Sequence, residues 1–426
     1  MDLRVARYLD KWVGLGICAV LCAFERTTGP LRGRHLAPRR ATTPPPLRPP
    51  PRTPPRRLLA IKFYGLGNVV MLLPVIQAIQ KRYQDAEIDF LTLEGGNVAL
   101  LGRSPVVRRI HALSVRNHAA LIASTLRVVP ALRRRRYDVV IDFEQFAKIS
   151  PILAYLSGAP ERIGFATDGQ RREGLFTTRV VYTDSEHMAH IFHRLTRPLD
   201  VPAELPPAEL RITDEERATV EAQVRAWGAE ARPLVAMHVG TGPNFYRVPL
   251  KRWDLDSFAR LADELVARYD AVVVLTGAGP DERELVATVR RLMRREAVDA
   301  CDRFAVPELA AFLARATFLV SNDTAPIHLA AALGTPVVAL FGPTAPLHYG
   351  PGGPIDLVFY RDLYCSPCLT NYNLKMSRCL DPVCIRGITP ESVLDAIEAH
   401  YLGAQATHAA RIRARIPAPS ARAAAP

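Results

Sequence analysis

From Arg57 onward, apolar runs of strand length alternate with segments of helical periodicity. The strand-like run LLAIKFYG precedes the helix-like MLLPVIQAIQKRY and the strand-like EIDFLTL, and YDVVIDFEQF follows later. After a polar stretch near residues 205–230, the alternation restarts with PLVAMHVG. Such alternation predicts parallel sheets covered by helices. We therefore expect an α/β protein of two tandem units with a boundary near residue 212.

The length of the chain agrees with this division. A chain of 426 residues with 49% hydrophobic content is too long for one ordinary core and long enough for two. We expect one domain over residues 57–212 and a second over residues 213–400. Residues 1–56 and 401–426 differ from both in composition, and we treat them as terminal segments.

The net charge of +13 is concentrated in those terminal segments. Residues 1–56 carry 11 Lys/Arg against 3 Asp/Glu, and residues 401–426 carry 4 arginines and no acidic residue. The body between them is nearly neutral. Basic ends of this kind suit an anionic membrane surface better than a nucleic-acid groove, so we expect no nucleic-acid partner.

The N-terminal segment contains the apolar run WVGLGICAVLCAF at residues 12–24. A helix needs about 20 residues to cross a bilayer, so this run is too short to span. With Arg4, Arg7 and Lys11 before it, it favours a helix lying in the membrane interface. The alternative is a helix that packs on the protein or is disordered. The eight prolines of residues 41–56 predict an extended spacer behind it.

The stretch SNDTAPIHLAAALGTPVVALFGPT at residues 321–344 predicts a helix that begins at the carboxyl end of a strand. Asp323 and Thr324 suit the helix cap, Pro326 suits its first turn, and Gly334 suits its end. Free N–H groups at such a terminus favour phosphate, so a nucleotide diphosphate could bind there without a metal. The alternative is that these residues only cap the helix.

Two further strand-end loops belong to the same predicted donor site. The first contains Thr241, Gly242 and Asn244, and it is followed by Lys251, whose ammonium could neutralise a leaving diphosphate. The second contains Gly277, which would let the backbone approach a nucleotide closely. A tight turn is the alternative for the second loop, and as an isolated cation Lys251 is weak evidence.

The first domain has its own glycine loop, which contains Gly65, Gly67 and Asn68. It follows a strand and opens a helix, as a dinucleotide-binding turn does. The third glycine of that motif is replaced by Val70, and no acidic residue closes the following strand at the expected spacing, so the match is weak. The alternative is a glycine loop that faces a cleft between the domains.

Together these motifs resemble the heptosyltransferases of glycosyltransferase family 9. The resemblance rests on IKFYGLGNVVMLLPVIQAIQKRY, VAMHVGTG followed by KRW, VVVLTGAGPDE and SNDTAPIHLAAALGTPVVALFGPT, and it covers about residues 57–400. It implies a GT-B-like fold, with two Rossmann-like domains facing each other across a cleft.

The resemblance also implies a function. The enzyme would be cytoplasmic, at the inner membrane, and would transfer a sugar with inversion and without metal or cofactor, from an ADP-heptose-like donor to a lipopolysaccharide-core or related glycolipid. The positions that match donor-binding positions of the family are Lys251, Asp323, Thr324, Ala325 and His328.

One position departs from the family pattern. Heptosyltransferases usually carry an aspartate in the glycine loop, proposed as the base that deprotonates the acceptor hydroxyl, and this chain has Asn68 there. An amide cannot take a proton at neutral pH. We expect Glu144, or else Asp142, to substitute, because both lie where a first-domain strand ends. The alternatives are carboxylates that only support the fold, or transfer without a base.

Two other functions and one metal site stay open at this point. The glycine loop could serve an NAD-dependent oxidoreductase, and Asn68 would also fit a catalytically silent protein that only binds nucleotide sugar or glycolipid. A cysteine cluster near the C-terminus could bind a metal, although its spacing is not that of a standard zinc ribbon, and we interpret it as structural. Its members are Cys365, Cys368, Cys379 and Cys384.

Overall fold

The computed structural model describes residues 3–28, 53–242, 249–353, 355–373 and 375–402. The chain divides into two compact units between Ile212 and Thr213. The C-terminal tail from residue 403 and residues 41–52 of the proline-rich segment lie outside the described residues.

In the described part of the first unit, six parallel strands form a sheet in the order β3-β2-β1-β4-β5-β6. The strands are β1 (Arg57–Ile61), β2 (Glu87–Leu93), β3 (Val107–Leu113), β4 (Val139–Asp142), β5 (Glu161–Ala166) and β6 (Thr178–Val181). The helices are α1 (Leu3–Thr28), α2 (Leu66–Arg82), α3 (Gly96–Leu101), α4 (His118–Arg135), α5 (Ile149–Leu156) and α6 (Met188–Arg194), with 3₁₀ turns at Glu173–Leu175 and Arg197–Leu199.

The second unit, over its described residues, repeats this arrangement with the order β12-β11-β10-β7-β8-β9. Its strands are β7 (Leu234–His238), β8 (Val272–Gly277), β9 (Val298–Cys301), β10 (Phe318–Asn322), β11 (Val337–Phe341) and β12 (Leu357–Tyr360). Its helices are α7 (Asp214–Ala226), α8 (Leu255–Tyr269), α9 (Gly279–Leu292), α10 (Val306–Arg315), α11 (Ala325–Ala332), α12 (Pro346–Tyr349), α13 (Val383–Arg386) and α14 (Pro390–Ile397), followed by a π-helical turn at Glu398–Leu402.

Hydrophobic patterning explains why these elements form. Strand β7 is buried along its whole length, as expected for a parallel strand covered on both faces. Helix α8 buries Phe258, Leu261 and Leu265, which recur at helical spacing and pack against the sheet. The predicted α/β class with two units is therefore confirmed.

Helix α1 packs on the first unit along one side. The carboxylate of Asp10 accepts hydrogen bonds from the backbone N–H groups of Lys148 (2.9 Å) and Ile149 (2.8 Å), where α5 begins. A side chain at Gly14 would collide with Lys148, and Cys18 is buried in a small cluster with residues of α5. The helix is thus attached to the body through a polar cap and small residues.

The helix is longer than the predicted apolar run, because it extends over Leu3–Thr28. Its packing on the body corresponds to one of the two alternatives that the sequence left open. Within the described residues, no helix combines the length and apolar character that crossing a bilayer requires. Contact of α1 with a membrane stays a prediction.

Candidate functional site

Each sheet has one point where the strand order reverses direction. It lies between β1 and β4 in the first unit and between β7 and β10 in the second. In open parallel sheets, ligands bind outside the carboxyl ends of the strands at this point. The predicted site residues cluster at these two places.

In the second unit, Lys251 and Asp323 form an ion pair across the reversal point. Lys251 follows β7 in the chain, Asp323 follows β10, and the Lys251 Nζ to Asp323 Oδ2 distance is 2.7 Å. The Thr344 hydroxyl donates to the same carboxylate oxygen at 2.6 Å. The structure thus brings together two residues predicted for the donor site and adds Thr344, which the sequence analysis did not single out.

The protonation of this pair follows from its surroundings. Burial acts to raise the pKa of Asp323, but attraction to Lys251 and the hydrogen bonds that the carboxylate accepts hold the pKa below its ordinary value. Burial lowers the pKa of Lys251 against the pull of Asp323, and the neighbouring Lys375 lowers it further. An ammonium group at a half-buried position beside a second cation is well suited to hold an anionic group such as a diphosphate.

The N-terminus of α11 lies next to this ion pair. Thr324 occupies the cap position with extended backbone, and its side chain makes no capping hydrogen bond to the helix. The helix begins at Ala325, and Pro326 in the first turn contributes no N–H group. The dipole of the helix and its first amides favour negative charge here, in line with the predicted phosphate site. His328 is buried in the same helix.

Asn322 anchors the loop that carries Lys251, a role that the sequence analysis missed. Its side-chain amide donates to the backbone carbonyls of Val239 (3.1 Å) and Gly240 (3.2 Å), and its carbonyl oxygen accepts from the Trp253 backbone N–H (2.9 Å). Both ends of the loop are therefore tied to β10. The signal in the sequence was an asparagine directly before Asp323 at a strand end.

Glu282 joins the two other predicted donor loops. Its carboxylate accepts hydrogen bonds from the backbone N–H groups of Gly242 (3.1 Å) and Ala278 (2.8 Å). A β-carbon at Gly240 would overlap the Glu282 carboxylate, and one at Gly277 would lie 3.0 Å from the Glu282 side chain. The glycines therefore make room for an internal carboxylate.

The loop between β7 and Lys251 is only partly described. Thr241 is half-buried at its start, while Asn244 lies outside the described residues.

In the first unit, the glycine loop follows β1 as predicted. Gly65 has φ +86°, a conformation that favours glycine, and it precedes the first residue of α2. Gly67 is buried within that helix. The Asn68 amide folds back and donates to the Tyr64 carbonyl at 3.4 Å.

Glu144 is buried and accepts three hydrogen bonds. One carboxylate oxygen accepts from Lys62 Nζ (2.8 Å) and from the backbone N–H groups of Phe63 (2.7 Å) and Tyr64 (3.0 Å). Its side chain is only 5% exposed. A base must reach the acceptor hydroxyl with a free lone pair. The three hydrogen bonds occupy one carboxylate oxygen and give Glu144 a supporting role toward Lys62 and the loop amides, while its role as the base stays a prediction.

Asp142 is also enclosed. It is fully buried, it accepts from Arg172 at 2.5 Å, and it caps the backbone N–H of Glu144 at 3.0 Å. Burial raises the pKa of Asp142 to about 6, although Arg172 pulls it down. A carboxylate without access to solvent cannot meet a substrate hydroxyl, so the geometry argues against Asp142 as a base.

The C-terminal cysteines lie in a stretch without regular structure between β12 and α13, with the last of them inside α13. Cys365 is exposed and Cys384 is buried. Across the described ranges, no three or more His, Cys, Asp or Glu side chains are arranged to hold a metal ion.

The match to a family model decides the class of protein. The model described as glycosyltransferase family 9 (heptosyltransferase) matches residues 125–376, which is more than half of the chain. The chain belongs to glycosyltransferase family 9. It is therefore a member of a transferase family, and the alternative of an NAD-dependent oxidoreductase is set aside.

Relatives named as heptosyltransferases match most of the chain. Lipopolysaccharide heptosyltransferase 3 of Escherichia coli strain K12 is 26% identical over 295 residues, which is 67% of this chain and 82% of the relative. Lipopolysaccharide heptosyltransferase 1 of Pseudomonas aeruginosa is 25% identical over 369 residues, covering 81% of this chain and 98% of the relative.

A solved heptosyltransferase structure shows the same fold. The structure of E. coli ADP-heptose LPS heptosyltransferase II matches with a TM-score of 0.66 at 22% identity, and the match covers 81% of this chain and 98% of that chain. The predicted GT-B class is thus confirmed for the two six-stranded parallel sheets.

Proposed function

We propose that this family 9 protein transfers a heptose from an ADP-heptose-like donor to the core of lipopolysaccharide or a related envelope glycolipid. The observation that carries the proposal is the convergence of Lys251, Asp323 and Thr344 beside the N-terminus of α11. This arrangement offers a cation and helix amides to a diphosphate. The relatives named as lipopolysaccharide heptosyltransferases support the choice of sugar and acceptor.

The proposed reaction is a single displacement without a metal ion. The acceptor hydroxyl oxygen forms a bond to the anomeric carbon while the bond from that carbon to the diphosphate oxygen breaks, and the electron pair leaves with the nucleoside diphosphate. One displacement inverts the anomeric centre. Lys251 and the amides at Thr324 and Ala325 stabilise the charge that develops on the leaving group.

The proton of the acceptor hydroxyl needs a separate destination. Asn68 occupies the place where the family has its proposed base, and an amide does not take a proton at neutral pH. We propose that the proton passes to water and that catalysis rests on positioning and leaving-group stabilisation. Asn68 also favours a second candidate, a catalytically silent protein that binds the donor or glycolipid.

A panel of donors tests the donor site. Thermal unfolding of the purified protein is measured with ADP, UDP, GDP, their sugars and NAD, because a ligand that binds only the folded state raises the melting temperature. We expect stabilisation by ADP-heptose and ADP that is lost in Lys251→Ala. The matched control is Arg252→Ala, whose charge lies beside Asp254 and not in the ion pair. Stabilisation by NAD alone would contradict the proposal.

We further propose that the enzyme works at the cytoplasmic face of the inner membrane and that α1 contacts anionic lipid. The side of α1 away from the body exposes Val13 (54%), Ile17 (43%), Val20 (68%) and Phe24 (49%). Their spacing places them on one face of the helix. The sequence from Arg26 onward is basic and includes Arg32 and Arg34, a composition that suits an anionic surface.

Vesicle sedimentation tests this contact. The double substitution Val20→Glu with Phe24→Glu is expected to weaken binding to vesicles with phosphatidylglycerol at least tenfold, because each buried apolar side chain contributes roughly 1.5–3 kcal/mol. The control is Ile122→Glu with Leu126→Glu, which alters two exposed apolar residues on α4 (61% and 70%). Equal binding of the α1 variant and the unmodified protein would rule out α1 as the contact.

A further inference from the structure

Both units carry a lysine–carboxylate pair across the reversal point of the sheet. In the first unit the pair is Lys62 with Glu144, and in the second it is Lys251 with Asp323. The separations are similar, at 2.8 Å and 2.7 Å. The two pairs differ in access, because the Lys62 side chain is 1% exposed and the Lys251 side chain is 23% exposed. The Lys62–Glu144 pair is almost completely enclosed, with side-chain exposures of 1% and 5%, which points to a role within the protein.

The contacts of Glu144 show what the closed pair holds. The oxygen that binds Lys62 also accepts from the backbone N–H groups of Phe63 and Tyr64, which form the start of the glycine loop. Asn97 fixes the Phe63 carbonyl from the other side at 2.9 Å. The backbone of Phe63, where the loop starts, is therefore hydrogen-bonded at both its N–H and its carbonyl group.

Arg172 and Asp142 hold the backbone of Glu144 in place. Arg172 donates to the Glu144 carbonyl at 2.5 Å and to the Ala147 carbonyl at 2.9 Å, and it also binds Asp142. Asp142 in turn accepts from the Glu144 backbone N–H. Each of these groups is buried. A buried network with all these partners in place has little freedom to rearrange, so the carboxylate is a fixed point for the loop.

We propose that Glu144 is a positioning residue, which acts through Lys62 and the amides of Phe63 and Tyr64 to fix the glycine loop for the acceptor. The inference rests on the proposed function, in which this loop belongs to the acceptor site. The loop carries Asn68 at the position of the family's proposed base. A shift of about 1 Å in a positioning group can lower a rate about 100-fold, so the anchor of the loop determines activity without touching the substrate.

Substitutions of different severity test the role. Glu144→Ala removes all three hydrogen bonds, and we expect kcat/KM for the acceptor to fall about 100-fold while the donor affinity stays within twofold. Glu144→Gln keeps an oxygen for the two amides but not the charge opposite Lys62, and we expect a fall within about tenfold. The control is Asp89→Asn, a buried carboxylate bound by Arg135 and Tyr137, which should lower the melting temperature and leave kcat unchanged.

The pH profile separates positioning from proton transfer. For a positioning residue, Glu144→Gln retains activity, and its kcat/KM has the same pH dependence as that of the unmodified protein. If the unmodified protein shows an acid limb in kcat/KM and Glu144→Gln is as inactive as Glu144→Ala, Glu144 is the base and the proposal is overturned. An unchanged kcat/KM in Glu144→Ala overturns it as well.

Hydrogen exchange of the peptide that covers residues 63–68 tests the anchor independently of transfer. Glu144→Ala should speed exchange in this peptide at least tenfold, and Asp89→Asn should not. If exchange in this peptide becomes faster in Glu144→Ala but no donor supports transfer, Glu144 does hold the glycine loop and the proposed function fails. If transfer is observed and exchange in Glu144→Ala equals that of the unmodified protein, the proposed function stands and the positioning role of Glu144 is refuted.

Discussion

Replacement of Asp323 by alanine is expected to slow transfer more than 100-fold and to destabilise the second unit. The change leaves the Lys251 ammonium and the Thr344 hydroxyl without their shared acceptor at a largely buried position. Removing one partner of a buried ion pair costs roughly 3–5 kcal/mol. We expect a lower melting temperature, loss of stabilisation by ADP and a fall in kcat of more than 100-fold, measured by calorimetry and by transfer from ADP-heptose.

Asp323→Asn is the matched variant, because it keeps the shape of the side chain and its ability to accept from Thr344. It should melt closer to the unmodified protein and still lose most activity, since Lys251 would no longer be oriented by a charge. Full activity in Asp323→Asn would show that the carboxylate only supports the fold.

The pH dependence of stability should reflect the same carboxylate. The pKa of Asp323 is lowered in the folded protein, so its ion pair contributes stability above the ordinary pKa of an aspartate. That contribution is lost as the pH falls through the lowered pKa. The stability gap between the unmodified protein and Asp323→Asn should therefore be largest at neutral pH and shrink in acid.

Asn68→Asp is expected to raise the transfer rate. The substitution places a carboxylate in the glycine loop where heptosyltransferases have their proposed base, and general base catalysis contributes about 10²- to 10⁴-fold. Because Asn68 is not a core residue, the change should cost little stability. Initial rates with ADP-heptose across a pH range measure the effect, and the variant should gain an acid limb in kcat that the unmodified protein lacks.

Asn68→Ala is the control for this gain, because it removes the hydrogen bond to the Tyr64 carbonyl without adding a base. If transfer occurs without a base, Asn68→Ala should retain a rate within about tenfold of the unmodified protein. A rate in Asn68→Asp that is no higher than in the unmodified protein would mean that proton removal does not limit transfer. No transfer in any of the three proteins would favour the silent candidate.

The sequence predicted the central strands because they are continuous apolar runs, as in β7 and β10. The edge strand β3 was not predicted, since its residues VRRIHAL are partly exposed and include two arginines. Lys251 and Asp323 could be placed together because both follow strands that meet at one edge of the sheet. The contacts of Thr344 and Asn322 depend on the register of neighbouring strands, which local patterning does not contain.

The role of Glu144 shows the limit of such predictions. Its position at a strand end was predicted, and β4 does end just before it. Whether its carboxylate faces a ligand or the protein depends on Lys62 and Arg172, which lie 82 and 28 residues away in the chain. The position of a charged residue at a strand end can therefore be predicted from the sequence. Its role also depends on partners that the fold brings from distant parts of the chain.

The contacts that hold α1 on the first unit determine how easily this helix detaches. Its buried side includes the small residues Gly14 and Cys18, and its polar contacts at the start of α5 include those of the Asp10 carboxylate and the Cys18 thiol. Segments with few buried apolar contacts open at a free energy well below that of global unfolding. The helix should therefore detach as a local unit while both sheets stay folded, and the acceptor domain would remain intact during that opening.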